Sequence, residues 1–259
     1  MNSILRPRET KTSMKYLSIT ILLLLFSYNT SKAQITAQQI IDKTIVISGA
    51  DKVANSLITF NFRDKKYLAQ RKNGNFRLSR IFKQKSETIE DIISNNGFQR
   101  LFNEHPLKTK KSLANKFANS VNSVHYFSVL PYGLNDKAVR KKRLPSSIVN
   151  GKEYYKVEIT FSEDGGGEDF EDVFIYWIGK EDFLIDYLAY SYHTNGGGKR
   201  FRVLKEQCAK NGIRFVDYHN YKPLSKNISL INLDKAFEKK QLKKVSEIVL
   251  KDIEVEILN

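Results

Sequence analysis

Residues 154–221, YYKVEITFSEDGGGEDFEDVFIYWIGKEDFLIDYLAYSYHTNGGGKRFRVLKEQCAKNGIRFVDYHNY, set the architecture. Apolar and aromatic residues recur there in strand-length runs, many of them alternating with polar ones, over 154–162, 171–178, 183–193, 199–205 and 212–221. Turn-forming residues separate the runs at short intervals: Gly165-Gly166-Gly167, Gly179-Lys180-Glu181-Asp182, Gly196-Gly197-Gly198 and Asn211-Gly212. Strands joined this closely pair antiparallel. In such a meander both glycine triplets lie on one rim, because the chain runs down and back between them. Three consecutive glycines adopt backbone angles closed to other residues. Glu163, Asp164, Glu168, Asp169, Glu171 and Asp172 flank the first triplet, and Lys199, Arg200 and Arg202 follow the second. Three readings of this rim stay open. The acidic and basic loops orient one another; or Asp164, Glu168, Asp169 and Asp172 form a calcium site, since hard cations take several carboxylate and carbonyl oxygens; or the loop gates a ligand.

Upstream, Ile40, Ile41, Thr44, Ile45 and Ile47 fall near helical spacing, with Thr36 as N-cap and Gly49 just past the end. A short turn over 50–55 leads into an alternating strand over 57–63. Strands at 65–70 and 75–83 are joined by an Asn73-Gly74 turn that suits a hairpin. Leu113, Phe117, Val121 and Val124 share one face of a second helix over 112–127, capped by Ser112. Downstream of Pro223 come a strand-like piece at 227–233, a charged helix at 233–240 and an interrupted closing strand at 245–257. The expected class is α+β: a strongly curved antiparallel β-sheet, a half-barrel, covering two or three helices and enclosing a cavity.

Aromatic residues crowd the second half of the chain. Alternation along a strand sends rings to both faces, so some line an interior and others a surface. Tyrosine offers an apolar body with a polar tip, which suits an amphiphilic ligand. The candidate ligand-binding residues are Tyr126, Tyr132, Tyr176, Tyr190, Tyr192, His193 and Tyr218. An ordinary sheet core is the competing reading of the same rings. His125, between Ser-Val and Tyr-Phe neighbours, reads as a packed structural residue, and His193 and His219 could meet near the rim. No Gly-x-Ser-x-Gly elbow, Walker loop or His-Glu-x-x-His motif occurs, so no catalytic residue is assigned.

The N-terminus carries an export pattern. Met14-Lys15-Tyr16 precedes an apolar run over 17–26, and Ser31 and Ala33 stand where signal peptidase reads. The signal reads best from Met14, giving a signal peptide over 1–33 and one half-barrel domain over 34–259. The apolar run is about half the ~20 residues that span a bilayer, and no later segment approaches that length. The expected product is therefore periplasmic or secreted, with no transmembrane helix in the mature chain. The only cysteine, Cys208, lies far from the cleavage site, so no lipidation, disulfide or cysteine-based zinc cluster is expected. The formal charge is +15, of which residues 1–33 hold five Lys/Arg and one Glu, leaving +11. Such a surface favours anionic partners, a membrane surface among them, while export argues against nucleic acid. A monomer is expected.

Two sets of residues carry a resemblance. Ala37-Gln38-Gln39-Ile40-Ile41-Asp42-Lys43, the turn Gly49-Ala50-Asp51-Lys52 and the strand after it resemble the start of LolA-like exported proteins, the lipoprotein-localisation half-barrels. His125-Tyr126-Phe127, Leu130-Pro131-Tyr132-Gly133-Leu134, Gly165-Gly166-Gly167-Glu168-Asp169-Phe170, Thr194-Asn195-Gly196-Gly197-Gly198 and Asn211-Gly212-Ile213-Arg214-Phe215 resemble an uncharacterised exported family of Bacteroidetes-type bacteria, a domain of unknown function. The resemblance covers nearly all of the mature chain. It implies a convex sheet wrapped around helices and a cavity for a lipid-like group, and it transfers no catalytic or binding residue. The function expected is a non-enzymatic periplasmic or outer-membrane-associated protein that binds or carries an amphiphile without a cofactor. A hydrolase or calcium-dependent enzyme using the acidic loop, and a surface module for anionic partners, are the alternatives.

Overall fold

Thr36 opens the first helix, α1 (Ala37–Ile47), with a reciprocal cap. The Gln39 N–H donates to the Thr36 hydroxyl at 3.2 Å, and the Thr36 N–H donates to the Gln39 side-chain oxygen at 2.9 Å. Ile40, Ile41 and Thr44 make its buried stripe. The helix stops at Gly49, where φ is +68°, and a Cβ there would collide with the Gly212 carbonyl oxygen. Only glycine permits that approach, which lets the Arg214 N–H reach the Ser48 carbonyl at 2.9 Å.

The computed structural model describes residues 34–165, 167, 170–193 and 196–258. Segment 1–33, with the export signal and the start at Met14, lies outside the described residues, as do Glu168 and Asp169. Thr36–Asn259 makes one compact unit.

A 3-10 turn (Ala50–Asn55) feeds six strands: β1 (Ser56–Phe62), β2 (Lys65–Lys72), β3 (Asn75–Gln84), β4 (Glu87–Ser94), β5 (Gly97–Phe102) and β6 (His105–Pro106). After helix α2 (Lys111–Ser128) come β7 (Val139–Val149), β8 (Lys152–Phe161), β9 (Val173–Gly179), β10 (Ile185–Tyr192), β11 (Gly198–Lys210) and β12 (Ile213–Pro223). A 3-10 turn (Leu230–Asn232), helix α3 (Leu233–Glu238), β13 (Leu242–Ile248) and β14 (Leu250–Ile257) complete the order. The strands form two antiparallel sheets, in the orders β14-β1-β2-β3-β4-β5-β6 and β13-β12-β11-β10-β9-β8-β7. Only Val249 separates β13 from β14, so a nearly continuous strand pairs with β12 through its first half and with β1 through its second.

Helix α2 packs on the first sheet. Arg100 lies 3.6 Å above the Phe117 ring, Arg80 donates to the Ser120 hydroxyl, and His125 stands edge-on to Phe60 and Tyr67. Its C-terminal turn then reaches the second sheet, where Tyr126 and Phe127 meet Phe174 and Tyr176. Both sheets therefore present a face to one helix, and the wall they make is curved around it. The α+β class expected from the sequence is the observed one.

Several local expectations change. The strands β4 to β7 carry no clean apolar alternation. In β4 the inward position Asp91 is fully buried because Arg80 and Arg100 both reach it, at 2.6 Å each. At the edge, β7 is rich in Lys and Arg and shifts register around Pro145, features that protect an exposed edge from further pairing. Helix α2 starts one residue earlier than expected, with Lys110 at its N-cap and no side-chain cap, so Ser112 is not the cap. Residues 227–233 form no strand among the described residues. The edge of β12 is already taken by β13, and the Lys199 ammonium instead holds the segment through the Lys226 and Ile228 carbonyls, at 3.0 and 2.7 Å.

Candidate functional site

Register fixes which side chains of the second sheet share a face. Tyr176 pairs with Leu188, which pairs with Arg202; Phe174 pairs with Tyr190, which pairs with Arg200. Directly opposed residues of antiparallel strands point the same way, so Phe174, Tyr176, Tyr190, Arg200 and Arg202 face the end of α2. The residues between them, Ile175, Trp177, Tyr187, Ala189 and Phe201, face the other way.

The other face is solid. Trp177, Tyr187, Phe201 and Leu233 pack into one core with Phe237 against it. The Trp177 indole N–H and the Lys156 ammonium both donate to one Asp234 oxygen, at 3.0 and 3.1 Å. Burial works against ionised Asp234, yet these two donors outweigh it and hold its pKa below the ordinary carboxylate value.

The face toward α2 borders a half-open cavity of about 560 Å³. Phe161, Phe174, Tyr190, Tyr192 and Tyr218 line it from the sheet; Val124, Tyr126 and Phe127 line it from α2; Phe62, Ile248 and Leu250 line it from the seam between the sheets. Its charged lining is Asp136, Asp172, Arg200 and Arg202. The Tyr126 and Tyr176 hydroxyls are 3.2 Å apart beside it. Desolvation pushes the Tyr126 hydroxyl up to about 12, and burial does the same to Tyr218. These phenols stay neutral across the biological pH range and act as hydrogen-bonding groups rather than bases.

Of the candidates taken from the sequence, Tyr126, Tyr190, Tyr192 and Tyr218 come together on the cavity wall. Tyr176 lies fully buried behind Tyr126. Tyr132 packs against the core of the first sheet, with the Arg71 guanidinium 5.3 Å from its ring. His193 is exposed on the rim, its Nδ1 3.5 Å from Asp172. His193 and His219 do not meet. His219 is paired with Val203 and sits 3.3 Å from Glu247, whereas the rim end of β11 is Gly198, about 16 Å along the strand.

The acidic candidates separate as well. Asp164 is exposed and Asp172 is buried in the cavity wall. Glu168 and Asp169 are outside the described residues, and among the described residues no three His, Cys, Asp or Glu side chains gather as metal ligands do. Arg202, Phe127 and Phe174 are among the cavity residues that sequence reasoning did not single out as binding residues. Their signal is present all the same: 174/176, 190/192 and 200/202 repeat at period two along three adjacent strands.

No helix among the described residues is long and apolar enough to cross a membrane. The profile of DUF6503, a family of unknown function, matches residues 16–249. No curated protein matches the chain. Among solved structures, a LolA superfamily protein of Nitrosomonas europaea is similar at 14% identity and a TM-score of 0.43, over 87% of this chain and 96% of that one. A DUF1329 family protein of Desulfovibrio piger is similar at 10% identity and a TM-score of 0.40, over 86% and 95%. The lipoprotein LppX of Mycobacterium tuberculosis is similar at 12% identity and a TM-score of 0.27, over 61% and 89%.

Proposed function

We propose that this chain, which belongs to the DUF6503 family of unknown function, is an exported, non-enzymatic protein that binds or carries a lipid-like amphiphile. The cavity of about 560 Å³ carries this reading. Its volume lies within the ~300–1,000 Å³ of small-molecule sites, and its lining combines apolar rings with a few polar groups, as such sites do. Each methylene taken from water contributes about 0.8 kcal/mol. Ten of them give roughly 8 kcal/mol before the cost of association, so a medium-length acyl chain suffices for useful affinity.

Native mass spectrometry of the protein purified without detergent, followed by titration with dodecyl amphiphiles, tests the reading. A co-purifying lipid-like mass, or saturable one-to-one uptake of a dodecyl probe, is expected. A protein that carries nothing and takes up none of the probes overturns it.

A second reading, docking on an anionic membrane surface, is favoured by one segment of the chain. Phe102, Leu107 and Leu113 are each more than 40% exposed, and Lys108, Lys110 and Lys111 lie between the two leucines in the chain. Exposed apolar side chains among lysines suit a bilayer interface with acidic head groups. Sedimentation with phosphatidylglycerol vesicles should capture the protein, and Leu107→Asp together with 0.5 M salt should release it. Equal capture by phosphatidylcholine vesicles removes this reading.

A further inference from the structure

We infer that the cavity selects amphiphiles with an anionic head group, a carboxylate or a phosphate, and that Arg202 is the residue that reads it. The inference rests on the carrier reading and specifies the ligand. Arg202 is only 7% exposed and lines the cavity. Its guanidinium lies 3.7 Å from the centre of the Phe127 ring and 5.3 Å from that of Tyr190. One of its terminal nitrogens donates to the Tyr190 hydroxyl at 3.3 Å, and its buried Nε has no partner.

Two other buried cations of the molecule are treated differently. Arg80 is neutralised by Asp91 at 2.6 Å, and Lys156 by Asp234 at 3.1 Å. Arg71 and Arg214 also leave a buried nitrogen unpartnered, but neither lines the cavity. Among the described residues, no carboxylate forms an ion pair with Arg202, although Asp136 and Asp172 line the same cavity. Taking an ion from water costs several kcal/mol even after relaxation, and faces of aromatic rings return only part of it. An anion completes the balance, since the guanidinium over the Phe127 ring carries N–H donors of the kind that carboxylate and phosphate accept in pairs. Arg200, two residues away on the same face and also in the lining, adds a second positive charge, with its guanidinium 5.1 Å from the Tyr192 ring.

Calorimetric titration of the purified protein with dodecanoate, dodecyl phosphate and dodecanol tests the inference. Either anion should bind at least tenfold more tightly than the alcohol, and the tighter of the two identifies the head-group class. Arg202→Met should abolish that preference, bringing both anions down to the affinity of dodecanol for the same variant, and Arg202→Lys should restore part of it. Equal affinity for all three probes in the unaltered protein overturns the inference and leaves the carrier reading standing. Binding of none of them overturns both. If Arg202→Met does not fold, the preference of the unaltered protein among the three probes still decides.

Discussion

The two faces of the second sheet are made from the same strands, and alternate residues meet opposite fates. Trp177, Tyr187 and Phe201 are packed solid against α3, while Phe174, Tyr190 and Arg202, on the opposite face of the same strands, border the cavity. Each face buries a cation. On the solid face Lys156 has Asp234, and on the hollow face Arg202 has only rings and a phenol. Alternation therefore sets which residues share a face, and the filler supplied from elsewhere in the chain decides whether that face becomes a core or a container.

Four measurements probe the contrast. The largest effect belongs to the solid face: Trp177→Ala empties a fully buried site and removes a donor to Asp234, and should cost about 5 kcal/mol in chemical denaturation. A loss below about 1 kcal/mol would mean that the face is not a core. Asp234→Ala should come next at about 3–4 kcal/mol, because it leaves the Lys156 ammonium buried without its partner. Lys156→Met in the same background should recover most of that loss, and no recovery would assign it to the Trp177 bond instead.

The third test concerns the helix that roofs the hollow face. Burial lowers His125 from 6.5 to about 3, with its Nε2–H donating to the Ser79 carbonyl at 3.0 Å. Between these values the unfolded chain binds a proton that the folded chain refuses. Stability should therefore be flat above pH 6.5 and fall below it by about 1.4 kcal/mol per pH unit toward pH 3. Comparing unfolding across pH 4–7 with a His125→Gln variant isolates the contribution; identical slopes would show that carboxylates alone set the acid limb. The smallest effect on stability is expected from Val124→Phe, whose ring has free cavity to enter. Stability should change by less than about 1 kcal/mol while dodecyl probe uptake is lost. A large destabilisation would show that the hollow face is as tightly packed as its reverse.

Much of this arrangement was legible in the sequence. The Thr36 cap, the Asn73-Gly74 hairpin and the meander follow from local chemistry, and four of the seven candidate ligand-binding residues meet on the cavity wall. The misses at buried positions share one cause, contacts made between distant segments. A charged residue inside a strand reads as solvent-facing, and Asp91 and Arg202 are both buried, one by partners on neighbouring strands and the other by rings from α2 and β10. Tyr132 comes just after an aromatic helix end and still belongs to the other sheet's core. Such placements depend on contacts far apart in sequence, which spacing cannot report.

The Val249 seam also governs the order of events as the chain is made. β1, the earliest strand, finds its outer neighbour only in β14, with Ser56 opposite Ile257. Pairings between distant segments close late, after the local hairpins have formed. Until residues 242–257 emerge, the two sheets have no common strand and the cavity has no wall at Ile248 and Leu250. A chain in that state is an unsealed vessel, and its cavity gains its last wall only when the final strand joins both halves.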